Sequence, residues 1–170
     1  MSEPTFAGQV ALVTGASRGI GAAARTLLEQ SGHTVIGQST AGADGLIAAD
    51  FAQPRAADAL WTTALEQAGG RIDVLVNNAG VFEAAPIADA DGFAATWARS
   101  HAINLQSAAD LCRHAVLHFQ ENGGGRIINV ASRAGHRGDS PQHWHYAAAK
   151  GGMLAMTKSI ARGYAAQNIL

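Results

Sequence analysis

Short apolar runs alternate with stretches of helical period along the whole chain. Gln9–Val13 is an apolar run of strand length. From Ile20 onward, Ile20, Ala23, Ala24, Leu27 and Leu28 fall on one helical face, and Ser31-Gly32 supplies a stop. Thr34–Gly37 reads as a second strand, Gln38–Gly45 as a polar, glycine-rich loop, and Leu46–Ala49 as a third strand ending at Asp50. Pro54 suits a helix start, after which Ala57, Leu60, Trp61, Ala64, Leu65 and Ala68 repeat at helical spacing up to Gly69-Gly70. Ile72–Val76 is a fourth strand and leads into Asn77-Asn78-Ala79-Gly80. A long helical pattern covers residues 91–121, and Asn122-Gly123-Gly124-Gly125 ends it. Arg126–Val130 is a fifth strand, followed by a polar loop over 132–143 and a last helix over 145–167.

Strands alternating with helices predict an α/β fold. The sheet is parallel and covered on both faces, a Rossmann-type doubly wound arrangement. One domain spans residues 1–170. The link between the second and third strands is too short for an ordinary crossover helix, which parallel neighbours generally need. In such a sheet ligands bind beyond the carboxyl ends of the strands, and Gly15, Asp50, Asn78 and Ser132 all fall at or just after such ends.

Composition narrows the function without naming it. Apolar residues make up 48% and charged residues 15% of the chain, which argues for a packed core rather than disorder. A net charge of −1 offers no electrostatic case for nucleic acid or an anionic membrane surface. No apolar run is long enough to cross a bilayer, and Met1-Ser-Glu-Pro-Thr5 is not a signal peptide. The single Cys112 excludes an internal disulfide framework. These features predict a cytoplasmic protein. His114 and His118 have a spacing that a metal could use, but no third ligand motif accompanies them, so no metal site is expected.

Two patterns carry chemistry. Thr14-Gly15-Ala16-Ser17-Arg18-Gly19-Ile20-Gly21 joins a strand to a helix N-terminus, where unpaired N–H groups and the dipole end suit a pyrophosphate. Its spacing is G-x-x-x-G-x-G rather than the usual G-x-G-x-x-G. Near the start of the last helix, Tyr146 and Lys150 are four apart and share a face, and an ammonium beside a phenol favours its anion. That pair suits a general acid/base and its electrostatic tuner, although any solvated helix can carry the same spacing. His143, Trp144 and His145 flank Tyr146 and either line a substrate mouth or pack the loop.

Taken in order, Thr14–Gly21, Asn77–Gly80, Asn104, Ser132, Tyr146 and Lys150 resemble the short-chain dehydrogenase/reductase family in its single-domain reductase form. Trp97, seven positions before Asn104, fits as well. The resemblance covers residues 6–170. It implies a coenzyme loop of Gly15, Ser17, Arg18, Gly19, Ile20 and Gly21, with Thr14 holding its turn. Asp50 would meet the adenine ring, and Asn78, Ala79 and Gly80 would wall its ribose. Ser132 would bind the substrate carbonyl, Tyr146 would move the proton, and Lys150 would hold the nicotinamide ribose. Asn104 would kink its helix and hold a water that links Lys150 to solvent. The implied reaction is hydride transfer between a nicotinamide coenzyme and a small-molecule carbonyl or secondary alcohol.

NADP(H) is favoured over NAD(H). Gln38, Ser39 and Thr40 stand where an NAD enzyme usually carries an acid, and Arg18 can pair with a 2′-phosphate; an Asp44 folded back would reverse the choice. The resemblance also implies further C-terminal strands that this chain lacks, an exposed apolar edge at the fifth strand, and one extra residue between Ser132 and Tyr146. It implies a homo-oligomer through the last two long helices, with Ala108, Leu111, Cys112, Ala115, Ala155 and Ile160 at the contact, unless those residues face only the sheet. The alternative to an active reductase is a coenzyme-binding module without turnover, or an impaired fragment.

Overall fold

The computed structural model describes residues 8–170. Five parallel strands form the sheet: β1 (Val10–Val13), β2 (Thr34–Ser39), β3 (Ile47–Ala48), β4 (Val74–Asn77) and β5 (Arg126–Asn129), in the order β3-β2-β1-β4-β5. Around them run α1 (Gly19–Gln30), α2 (Ala56–Gln67), α3 (Ala90–His101), α4 (Ser107–Glu121), α5 (Ala134–Arg137) and α6 (Trp144–Tyr164). Strand order reverses between β1 and β4, so the ligand crevice of this fold opens at their carboxyl ends.

Alternation along the strands splits the core. Leu12 and Leu75 face one cluster with Leu60, Trp61, Leu111 and Phe119 from α2 and α4. Ala11, Val13, Val74 and Val76 face the other side with Ala16 and Leu46. On that side α1 buries only Gly21. Ile20 is 68% and Leu27 65% exposed, so of the apolar stripe expected on α1 only Ala24 and Leu28 are partly covered, Leu28 packing on this cluster. At its N-terminus the helix comes closest at Gly21, where the missing side chain lets it lie against the Gly15 turn.

The β2–β3 connection, residues 40–46, carries no helix. It closes because the strands pair only at Gln38↔Ile47 and Ser39↔Ala48, so the chain retraces very little length. Gly42, Asp44 and Gly45 turn it with positive φ, and Ser39 Oγ accepts from the Gly42 N–H at 3.0 Å. Leu46 packs over Gly37 and is buried in the cluster that a crossover helix would otherwise cover.

The expected bare edge at β5 is partly paired. Gly125 N–H donates to Asn168 O at 3.1 Å, Leu170 N–H to Gly125 O at 3.0 Å, and Ile127 N–H to Leu170 O at 2.8 Å. Gly125 and Ile169 form a parallel bridge, and Ile169 is buried in the main core. The 91–121 pattern is α3 and α4 joined by a π-helical segment, Ala102–Gln106, and the polar loop after β5 contains the short α5.

Candidate active site

Thr14 ties the β1 tip to the β4 tip. Its Oγ1 accepts from the N–H groups of Asn78 and Ala79, both at 3.0 Å, and donates to Val76 O at 3.4 Å. Asn78 Nδ2 then donates to Thr14 O at 3.0 Å and Gly15 O at 3.2 Å. This clamp explains two glycines. Gly15 has φ +65°, and a Cβ there would stand 2.9 Å from both Asn78 Nδ2 and Ala79 Cα. A Cβ on Gly21 would overlap Gly15 O and Asn78 Nδ2.

Gln38, at the end of β2, is 2% exposed. It accepts from the Gly15 N–H at 2.9 Å through Oε1 and donates to Ala49 O at 2.6 Å through Nε2. Its side chain therefore braces the glycine turn rather than facing a ribose. Nothing in the sequence signals this bond, because it spans three strands.

A cleft of about 630 Å³ lies above these tips. Gly15, Ser17, Arg18, Gly19, Ile20, Asp50, Asn78, Ala79 and Gly80 all line it, as expected. Gly21 does not; it lies buried beneath the turn. Gln38, Ser39 and Thr40, the positions weighed for coenzyme choice, line it too, and Ala41, Ala43, Phe51, Val81, Arg99 and Ile103 complete the wall without having been singled out in the sequence. Asp50 is its one acid, and Asp44 is not part of it. At α1 the cap residue Arg18 is extended and no side chain caps the helix. The space above Gly19, φ +57°, is open. First-turn N–H groups, an arginine and an open glycine turn fit the pyrophosphate and ribose phosphate of a dinucleotide.

Asn104, Ser132, Tyr146 and Lys150 stand outside the lining of that cleft. Gly80 is the junction. A Cβ there would lie 2.8 Å from Asn104 Oδ1 and 3.9 Å from Lys150 Nζ. Asn104 sits in the π-helical segment, fully buried, and holds Val81 at both backbone atoms: Oδ1 accepts from its N–H at 2.9 Å, and Nδ2 donates to its carbonyl at 3.0 Å. Nδ2 also donates to Ser100 Oγ at 2.9 Å. The Asn104 side chain thus fixes the loop beside Gly80.

Lys150 is 3% exposed, and burial lowers its pKa from 10.5 to about 8. Its Nζ donates to Val130 O at 2.7 Å and lies 5.9 Å from the Tyr146 ring centroid. Ser132 Oγ accepts from the Ala134 N–H at 3.1 Å, which leaves its proton for a ligand. The segment after Ser132 packs backbone to backbone on α6, where a Cβ on Gly135 would meet Gly151 N and Lys150 C at 2.8 Å. That contact brings the serine loop against the helix carrying Tyr146 and Lys150.

The flanking residues divide. His145 is fully buried, and neither ring nitrogen meets a hydrogen-bond partner among the described residues. His143 stacks on Phe82 with ring centroids 3.8 Å apart, and Trp144 is 53% exposed. His114 Nε2 lies 2.7 Å from Asp58 Oδ1, and His118 Nε2 accepts from the Ile72 N–H at 3.2 Å. No metal-binding cluster exists among the described residues.

A family model described as short chain dehydrogenase matches residues 9–170. The chain belongs to the short-chain dehydrogenase family. It is 38% identical to a cis-4-hydroxycyclohexanecarboxylate dehydrogenase of Sinomonas cyclohexanicum, over 96% of this chain and 70% of that protein. It is 36% identical to a 3-oxoacyl-[acyl-carrier-protein] reductase of Vibrio cholerae, over 95% of this chain and 70% of that protein. A solved structure assigned as a short-chain alcohol dehydrogenase, from Sinorhizobium meliloti, superposes with a TM-score of 0.85 at 31% identity, covering 96% of this chain and 69% of that one. Membership makes the chain an NAD(P)-dependent oxidoreductase of this family, and its Rossmann-type sheet is that of the family's solved members.

The oligomer contact needs correction at the residue level. Ala108, Leu111 and Ala115 are buried within the single chain, while Cys112, also buried, forms part of the wall of the groove between α4 and α6. Burial also raises the Cys112 thiol to about 11. Ala155 is exposed, and Ile160 helps line that groove, of about 400 Å³, with Cys112, Arg113, Leu117, Met156 and Tyr164. No described helix is long and apolar enough to cross a membrane.

Proposed function

We propose that this chain transfers a hydride between NADP(H) and a ketone or secondary alcohol. The observation that carries the reading is the junction at Gly80, where Asn104 and the buried Lys150 ammonium flank the inner end of the coenzyme cleft. When bound, the nicotinamide supplies the hydride in reduction and accepts it in oxidation. In reduction the carbonyl oxygen would take its proton from the Tyr146 phenol. Ser132 donates to the same oxygen as negative charge grows on it. Lys150, whose charge faces the Tyr146 ring, stabilises the phenolate left behind. Oxidation runs the same proton path backwards.

Arg18 at the open end of α1 supports NADP(H), since a guanidinium there pairs with a 2′-phosphate. Gln38, turned inward to Gly15 and Ala49, leaves no acid at the end of β2 to select the ribose hydroxyl. The exposed Leu117 and the groove between α4 and α6 support a homo-oligomer through those helices. A monomeric mass by sedimentation at micromolar concentration would remove that part.

Tyr146→Phe should abolish coenzyme oxidation with carbonyl substrates while NADPH binding, read by its fluorescence, stays within about twofold. Undiminished turnover in the variant overturns the assignment.

A further inference from the structure

Phe82 follows the β4 turn and touches the proposed proton donor directly. Its ring lies 4.9 Å from that of Tyr146 at an interplanar angle of 82°. It also stacks on His143, centroids 3.8 Å apart at 6°. A ring recruited only to hold the phenol would be buried, yet Phe82 is 55% exposed. It is nonetheless held firmly. His143 Nδ1 lies 2.6 Å from Ser140 Oγ, and the Ala85 N–H donates to Gln142 O at 2.9 Å, so the loops carrying the two rings are tied together.

The surroundings are rich in rings, and the adjacent acid is paired. Glu83, the next residue, is paired with Arg99 at 3.3 Å. On the far side of α6's first turn, Trp144 meets Phe93 with ring centroids 6.0 Å apart, and Phe93 meets Trp97 at 5.8 Å. Half of the chain's ten aromatic residues (Phe82, Phe93, Trp97, Trp144 and Tyr146) therefore gather around the start of the helix that bears the phenol. An exposed, fixed aromatic ring gains most by covering its open surface with another flat apolar group.

We propose that Phe82 is a specificity-determining residue, and that the substrate presents an apolar ring, aromatic above all, next to its carbonyl or carbinol carbon. This rests on Tyr146 being the proton donor. The ring of such a substrate lies against Phe82 while its oxygen meets Tyr146 and Ser132. His143 acts as a positioning residue for Phe82.

The test is ligand-observed NMR titration in the presence of saturating NADPH, with acetophenone and 2-butanone as probes and turnover followed in parallel. Wild type should bind acetophenone at least about tenfold more tightly than 2-butanone, a gap that Phe82→Ala reduces severalfold and Phe82→Tyr preserves. NADPH affinity should be equal in all three proteins, which separates a local effect from misfolding. Equal binding of the two ketones by wild type, or an unchanged preference in Phe82→Ala, overturns the proposal. Ring preference that depends on Phe82, with no turnover of any ketone, upholds the ring site and overturns only the reductase reading.

Discussion

The Lys150 ammonium donates to the Val130 carbonyl at 2.7 Å, and the Val130 N–H donates in turn to Asn77 O at 2.9 Å. The lysine is thus a strut between α6 and the exit of β5, the segment that leads to Ser132. One side chain links the helix that carries Tyr146 to the loop that carries Ser132.

That strut is a buried cation, which gives stability a pH signature. Burial lowers Lys150 from 10.5 to about 8, so between those values the unfolded chain holds more protons than the folded one. Folding stability from this group should therefore rise as pH climbs from about 8 to 10.5, by on the order of 3 kcal/mol. Denaturant melts of wild type should show the rise, and those of Lys150→Met should lose it. Parallel curves for the two proteins would contradict it.

On the acid side the sign is the same with different residues. Burial lowers His145 and His118 below 6.5, so the unfolded state binds the extra protons as pH falls through that value. Stability should decline below pH 6.5. His118 also accepts from the Ile72 N–H, a bond that protonation of Nε2 removes. Thermal melts between pH 5 and 7 check this, and His145→Asn should shrink the decline.

Gly21→Ala places a methyl group against Gly15 O and Asn78 Nδ2, both held by the Thr14 clamp. The variant should lose about 1–3 kcal/mol of stability and bind NADPH at least about tenfold more weakly. Gly19→Ala meets no neighbour and strains only its positive φ, so its melting temperature should fall less. Equal losses in the two would show that close approach is not what Gly21 provides.

Arg18→Ala should weaken NADPH by about tenfold or more and change NADH by less than about twofold, read by coenzyme fluorescence. Equal weakening of both coenzymes would move the arginine's role from the 2′-phosphate to the pyrophosphate.

Much of this was legible in residue order alone. Apolar runs located every strand of the sheet, and the short link before Leu46 correctly lacked a helix. Ile20 and Leu27 misled because periodicity reports a stripe and not what lies opposite it; Gly21 and Leu28 make the contact instead. Ala108, Leu111 and Ala115 are buried, and small apolar residues suit a core and an interface equally.

The sequence by itself determined the strand-turn-helix loop at Gly15, the carboxyl-end positions of Asp50, Asn78 and Ser132, and the one-turn spacing of Tyr146 and Lys150, because each depends only on neighbours along the chain. Tertiary structure alone decided that Gln38 braces Gly15, that Asn104 grips Val81, that Lys150 reaches Val130, and that Phe82 lies against Tyr146. These pairs lie 20 to 64 residues apart in the chain, or 23, 23, 20 and 64 in turn. Contacts at that separation are set by how the sheet and its helices pack, and no local period encodes them.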